Sequence, residues 1–128
     1  MSNLGESKEK LPSNTLVLHD RDFVPYGNNR KLIQHKISLL AVNEMNLDVG
    51  ESKLTKTNVY IEEIRKFNMY LLQSSPEDYE NAILRYQGYI KPHFHGLLKV
   101  EIKNKRNVKI KVRTGDILGY LILTPFIG

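Results

Sequence analysis

Apolar and polar residues alternate most regularly between Gly88 and Ile122. The stretch opens on a glycine-bounded turn, Gly88 to Gly96, followed by a strand pattern at Leu97 to Ile102 and a polar turn at Lys103 to Asn107. Val108, Ile110 and Val112 then alternate with Lys109, Lys111 and Arg113, and after Thr114-Gly115-Asp116 comes an apolar run, Ile117 to Leu123. A period of two broken by Gly, Asn and Asp predicts half-buried antiparallel strands. The spacing predicts a hairpin pair in this region around which the rest of the chain is arranged.

Upstream, Leu16 to Leu18 reads as a first strand, interrupted by the charged His19 to Asp22. A turn signal, Tyr26-Gly27-Asn28-Asn29, precedes the apolar Leu32 to Val42, where a strand is favoured because no helix cap is present. Asn46 to Lys56 is read as turn-rich, and Asn58 to Ile64 and Phe67 to Leu72 as strands. Ser74 to Asp78 is a break that can open one helical turn, and Ala82 to Tyr86 leads into the Gly88 turn. Short strands at roughly 8–12 residue spacing indicate an all-β sandwich or barrel. Residues 1–14 are polar enough to form a flexible arm, leaving 15–128 as a single domain.

Composition narrows the function classes. The 128 residues are 41% hydrophobic and 26% charged, ordinary for a globular domain. There is no cysteine, which excludes disulfides and thiolate metal sites. No apolar run reaches the roughly 20 residues of a membrane helix. The first residues lack the apolar core of a secretory signal, so the expected address is cytoplasmic or nuclear, or a virion. The formal charge is +5, spread among apolar residues and not gathered in a block, as on an ordinary solvated surface.

The order G-x-I-x-P-x-F-x-G over Gly88 to Gly96, a strand, a basic turn, another strand and Gly115-Asp116 before Leu121-Ile122-Leu123 resembles the core of the trimeric dUTPase and dCTP deaminase superfamily. The resemblance runs from about Phe67 to Leu123. It implies a jelly-roll-like distorted barrel of the dUTPase type, assembled as a homotrimer. Met69 to Pro76 resembles the family's phosphate-binding serine motif, with Ser74 and Ser75 as the serines and Gln73 near the place of the usual arginine. Lys91 stands where the family has the aspartate that activates water, Phe94 where it has the aromatic residue, and Tyr120 near its usual glutamine. An ammonium cannot accept a proton from water. The chain also ends at Thr124 to Gly128 without the family's glycine-rich closing arm. Gln73, Ser74, Ser75, Gly88, Lys91, Phe94, Gly96 and Tyr120 are therefore expected to form a vestigial nucleotide cleft with no catalytic residue, cofactor or metal.

The expected function is that of a non-catalytic dUTPase-like protein, expected to be virus-encoded and retained for structural work (as in a virion or capsid) or for contact with a protein partner. The alternative is a divergent nucleotide-processing enzyme, a dUTP diphosphatase or a dCTP deaminase. Pro92 and Phe94 resemble the deaminase turn, with Glu77 or Glu80 near the place of its glutamate. A second alternative is a nucleic-acid-associated protein that touches polyanions through Lys105, Arg106, Lys109, Lys111 and Arg113, with Lys99 and Lys103 alongside. No stacking aromatics interleave with these cations, which favours a solvated sheet face. His93 and His95 form an H-x-H pair that lacks an evident third metal ligand and reads as ordinary turn residues. Tyr79, Tyr86, Tyr89, Phe94, Tyr120 and Phe126 are expected in the core or a subunit interface. The Glu62-Glu63 and Glu77-Asp78 pairs are expected at the surface.

Overall fold

The computed structural model describes residues 11–73, 82–84, 88–91 and 93–126. Most of the expected arm, the Ser74 to Asp78 break, Tyr79, Tyr86 and Pro92 lie outside the described residues. The strands are β1 (Leu16–His19), β2 (His35–Leu40), β3 (Met45–Leu47), β4 (Ser52–Glu63), β5 (Phe67–Gln73), β6 (Ala82–Leu84), β7 (Gly88–Ile90), β8 (Gly96–Asn104), β9 (Ile110–Val112) and β10 (Ile117–Pro125). They form one sheet in the order β1-β4-β8-β6, a second in the order β2-β10-β5-β7, and a two-stranded ribbon β3-β9. The only described helical pieces are two 3-10 turns, Asp20–Asp22 and Asn28–Arg30.

Alternation places the core. Leu98, Val100 and Ile102 on β8 and Val59 and Ile61 on β4 are buried, while the residues between them are exposed or half-buried. Leu39 on β2, Met69 on β5 and Leu121 and Leu123 on β10 belong to the same buried cluster. The pairing is antiparallel except for β1, which runs parallel to the C-terminal half of β4 with Leu16 opposite Val59. The β4–β8 register breaks between Lys56 and Tyr60. There the buried Thr57 hydroxyl donates to Leu98 O at 2.9 Å and accepts from Val59 N–H at 3.2 Å, standing in for ladder bonds.

The expected hairpin pair is corrected. β8 lies between β4 and β6, and β9 pairs with β3, Met45 facing Val112. β8 continues through Lys103 and Asn104, so the turn begins only at Lys105. Val108 falls in that loop and is exposed, leaving Ile110 and Val112 as the buried residues of β9. The turn-rich reading of Asn46 to Lys56 also shrinks, to the segment between β3 and β4 where Gly50 takes φ +78°. The strand read over Leu32 to Val42 is confined to β2, and Gly88, read as opening a turn, begins β7.

One buried amide organises this end of the molecule. Asn104 is 0% exposed. Its Nδ2 donates to Leu47 O at 3.1 Å, Asp48 O at 3.2 Å and Val108 O at 2.9 Å, and its Oδ1 accepts from Arg106 N–H at 2.9 Å. At the other end Asp20, also buried, accepts from Arg65 N–H at 2.9 and 3.0 Å and from Lys66 N–H at 3.1 Å. A carboxylate that satisfies backbone donors in this way fixes the β4–β5 turn to the segment after β1.

Candidate functional site

Strand register divides the expected cleft into two groups. Gln73 on β5 faces Gly119, Tyr120 faces Leu72, and Gly88 faces Leu71, so Gln73, Gly88 and Tyr120 meet at one end of the second sheet. Ser74 and Ser75 lie outside the described residues. Tyr120 is nearly buried, and Lys36 from β2 places its ammonium 4.0 Å from the ring centroid. That contact is a cation–π pair on the side of the sheet away from Leu121.

The second group follows the far end of β7, where Ile90 faces Met69. From Met69 to Gln73 is four residues, about 13 Å of strand. Lys91 is exposed there, and its carbonyl accepts from Phe94 N–H at 3.2 Å, closing a turn in which His93 takes φ 67°. Phe94 packs against the core, its ring edge 3.9 Å from where a Cβ of Gly96 would sit. Gly96, at φ +129°, opens β8 opposite Ile61. The structure thus brings Lys91, Phe94 and Gly96 together, and Gln73, Gly88 and Tyr120 together, but not the two sets.

Two hollows flank the Lys91 turn. One, of about 120 Å³, has an apolar floor that includes Ile64, Phe67, Met69 and Ile90, with Arg65, Asn68, His93 and Phe126 around it. The other, of about 70 Å³, is lined by Glu62, Glu63, Ile64, Arg65, His93, Phe94 and His95. The sequence reading left Glu62 and Glu63 as surface charges, and their place beside Phe94 had no sequence signal beyond their charge. Both carboxylates are engaged by basic side chains. Glu63 Oε1 lies 3.1 Å from His19 Nε2 and Oε2 3.3 Å from Arg65 Nε, while Glu62 Oε1 lies 3.6 Å from Arg21 Nη2. Among the described residues, no group of three His, Cys, Asp or Glu comes together as a metal site.

The basic set is spread over several elements. Lys99 and Lys103 lie on β8, Lys105 and Arg106 in the loop after it, and Lys109, Lys111 and Arg113 along β9 and its ends. The last three alternate with buried Ile110 and Val112 and share an exposed face. Acids accompany two of them: Lys109 Nζ is 3.5 Å from Asp48 Oδ1 and Lys111 Nζ is 3.3 Å from Glu44 Oε1. Among the described residues, no helix is long and apolar enough to cross a membrane.

No protein-family model and no curated protein matches the chain. Solved structures do. The dUTPase of Staphylococcus bacteriophage 80alpha with dUPNHPP is 16% identical, covers 93% of this chain and 82% of its own, and superposes with a TM-score of 0.62. The same phage dUTPase without that compound gives 16% identity, 93% and 89% coverage and a TM-score of 0.63. A point mutant of it gives 18%, 100% and 87%, and 0.60. The chain therefore has a dUTPase-like all-β fold, reached at low sequence identity.

Proposed function

We propose that this chain is a non-catalytic dUTPase-like protein, assembled as a homotrimer and working through contacts with a protein partner, in a viral setting. The observation that carries the reading is Lys91. It is exposed on the turn where the resembled family places its water-activating aspartate, and the acids that line the hollow beside Phe94, Glu62 and Glu63, are engaged by Arg21, His19 and Arg65. A general base must accept a proton from the water it holds, and an ammonium in that place has no lone pair to take it. The phage 80alpha dUTPases are described as controlling transfer of virulence genes by a proto-oncogenic G protein-like mechanism, so a dUTPase fold can carry a regulatory task.

The test is hydrolysis of a panel of nucleoside triphosphates, dUTP and dCTP included, with products identified by mass. No turnover is expected, and Lys91→Asp alone is expected to leave the protein inactive, because the base is only one of the missing parts and is worth about 10²–10⁴ in rate. Turnover by the native chain overturns the reading. In that event Glu62 and Glu63, which line the hollow beside Phe94, are the carboxylates to replace with glutamine. Light scattering is expected to give three times the 14.8 kDa chain mass, and a stable monomer would remove the trimer.

A further inference from the structure

The chain just past β2 is tied to β4 and to the β9–β10 turn, and a hollow lies where the three meet. Ala41 forms an isolated antiparallel bridge with Thr57 of β4. Gly115 N–H donates to Ala41 O at 2.8 Å and Ala41 N–H to Asp116 O at 2.9 Å, so the β9–β10 turn is fixed to the same residue. Gly115 takes φ +94° there, a conformation that glycine adopts at little cost. Ahead of β1 the chain curls, with Thr15 Oγ1 donating to Pro12 O at 2.6 Å and Asn14 at φ 64°. Residues 12–14 supply one wall, Leu40, Ala41 and Val42 a second, and Asn58, Thr114 and Gly115 the remainder, around about 370 Å³.

One polar group in this hollow is oriented and unmatched. Asn58 falls in the register break of β4, and its Oδ1 accepts from Leu40 N–H at 2.9 Å, a bond from the first sheet to the second. Only the amide oxygen can accept, so this bond fixes which way the side chain is turned. The two N–H groups of Nδ2 then meet no acceptor among the described residues. The rest of the lining is apolar or neutral, with the hydroxyls of Ser13 and Thr114 and no charged residue among those described. Small-molecule sites usually have this make-up, roughly 300–1,000 Å³ of apolar wall with a few fixed polar groups.

We propose that this hollow binds a small uncharged molecule that joins a carbonyl oxygen to an apolar body. The carbonyl accepts from Asn58 Nδ2, and the body packs on Leu40, Ala41 and Val42. Charge is excluded on both sides. A carboxylate or phosphate would meet no cation among the lining residues and an amine no acid, so either would give up water without compensation. The hollow shares no lining residue with the two beside the Lys91 turn, so the inference stands apart from the hydrolysis panel.

The probes are nicotinamide, nicotinate and 3-(aminomethyl)pyridine, one ring carrying in turn a neutral, an anionic and a cationic group near neutral pH. They are titrated by NMR into the isotope-labelled full chain. Nicotinamide is expected to shift the Asn58 side-chain amide and the Gly115 N–H saturably, and to bind about tenfold or more tightly than either charged ring. Asn58→Asp keeps an acceptor for Leu40 N–H while replacing both donors by a negative charge. Nicotinamide affinity should then fall about tenfold or more, and the amine should become the preferred ring. Thr114→Phe, at an exposed position, fills the mouth and should abolish nicotinamide binding with the melting temperature near the native one. Nicotinate binding as well as nicotinamide, or nicotinamide binding unchanged in Asn58→Asp or in Thr114→Phe, would overturn the proposal. So would shifts confined to the Lys91 to Phe94 turn, or no binding of nicotinamide at all.

Discussion

Asn104→Ala removes a side chain that ties two backbone segments, 47–48 and 106–108, to β8 at once. Three carbonyls, those of Leu47, Asp48 and Val108, share its two amide protons, and its oxygen takes the Arg106 N–H. Asp48 and Val108 lie at exposed positions where water can replace the lost donor, so each lost bond there costs about 0.5–1.5 kcal/mol. Leu47 is 0% exposed, and its orphaned carbonyl costs about 1–3 kcal/mol. The expected total is about 2–6 kcal/mol, a large share of the 5–15 kcal/mol typical of a domain. An unfolding entropy of about 2.1 cal/mol/K per residue gives about 0.27 kcal/mol/K for the 128 residues. The melting temperature should therefore fall by about 7–22 °C, read by calorimetry or circular dichroism. Amide exchange at Arg106 should accelerate first, because its N–H donates to the deleted Oδ1. A variant that melts within about 2 °C of the native protein would refute the assignment of Asn104 as the clamp.

Three other substitutions test other joints. Asp20→Ala strips the acceptors from Arg65 N–H and Lys66 N–H and should cost about 2–3 kcal/mol in urea unfolding; an unchanged midpoint would detach Asp20 from the β4–β5 turn. Thr57→Val keeps the shape but leaves Leu98 O and Val59 N–H without the hydroxyl, so a loss of about 1–3 kcal/mol is expected, and a neutral result would mean the bulge is satisfied otherwise. Lys109→Glu with Lys111→Glu breaks two exposed ion pairs worth about 0–1 kcal/mol each, so stability should change little. Retention of the native chain on duplex DNA should show a salt slope shallower than the roughly −3 that three phosphate contacts would give; a slope that steep, lost in the double variant, would restore a polyanion face.

The all-β class was legible because β4 and β8 alternate cleanly and β10 is a short apolar run bounded by turn residues. The pairing was not. Periodicity tells which face of a strand is buried and carries nothing about its neighbour, so β8 and β9 looked like one hairpin although β9 joins β3. Val108 kept the rhythm of Ile110 and Val112 yet lies in a loop, where alternation has no ladder to act on. Asn104 sat in a polar run that read as a turn, and its burial depends on carbonyls supplied from β3 and beyond. Of the candidate site, motif position alone identified Lys91 and Phe94 as neighbours. The distance between them and Gln73 and Tyr120 became visible only once strand register was known.

The place of β10 has a consequence for how the protein is made. The last strand in sequence sits inside its sheet, with β2 on one flank and β5 on the other. A growing chain therefore carries β2 and β5 with unpaired edges until Ile117 to Pro125 has cleared the ribosome. Ribosome-bound or prematurely terminated chains lacking that stretch expose two strand edges at once, the kind of surface that templates aggregation. The second sheet can therefore close only after translation has passed Ile117 to Pro125, however early β2 and β5 are made.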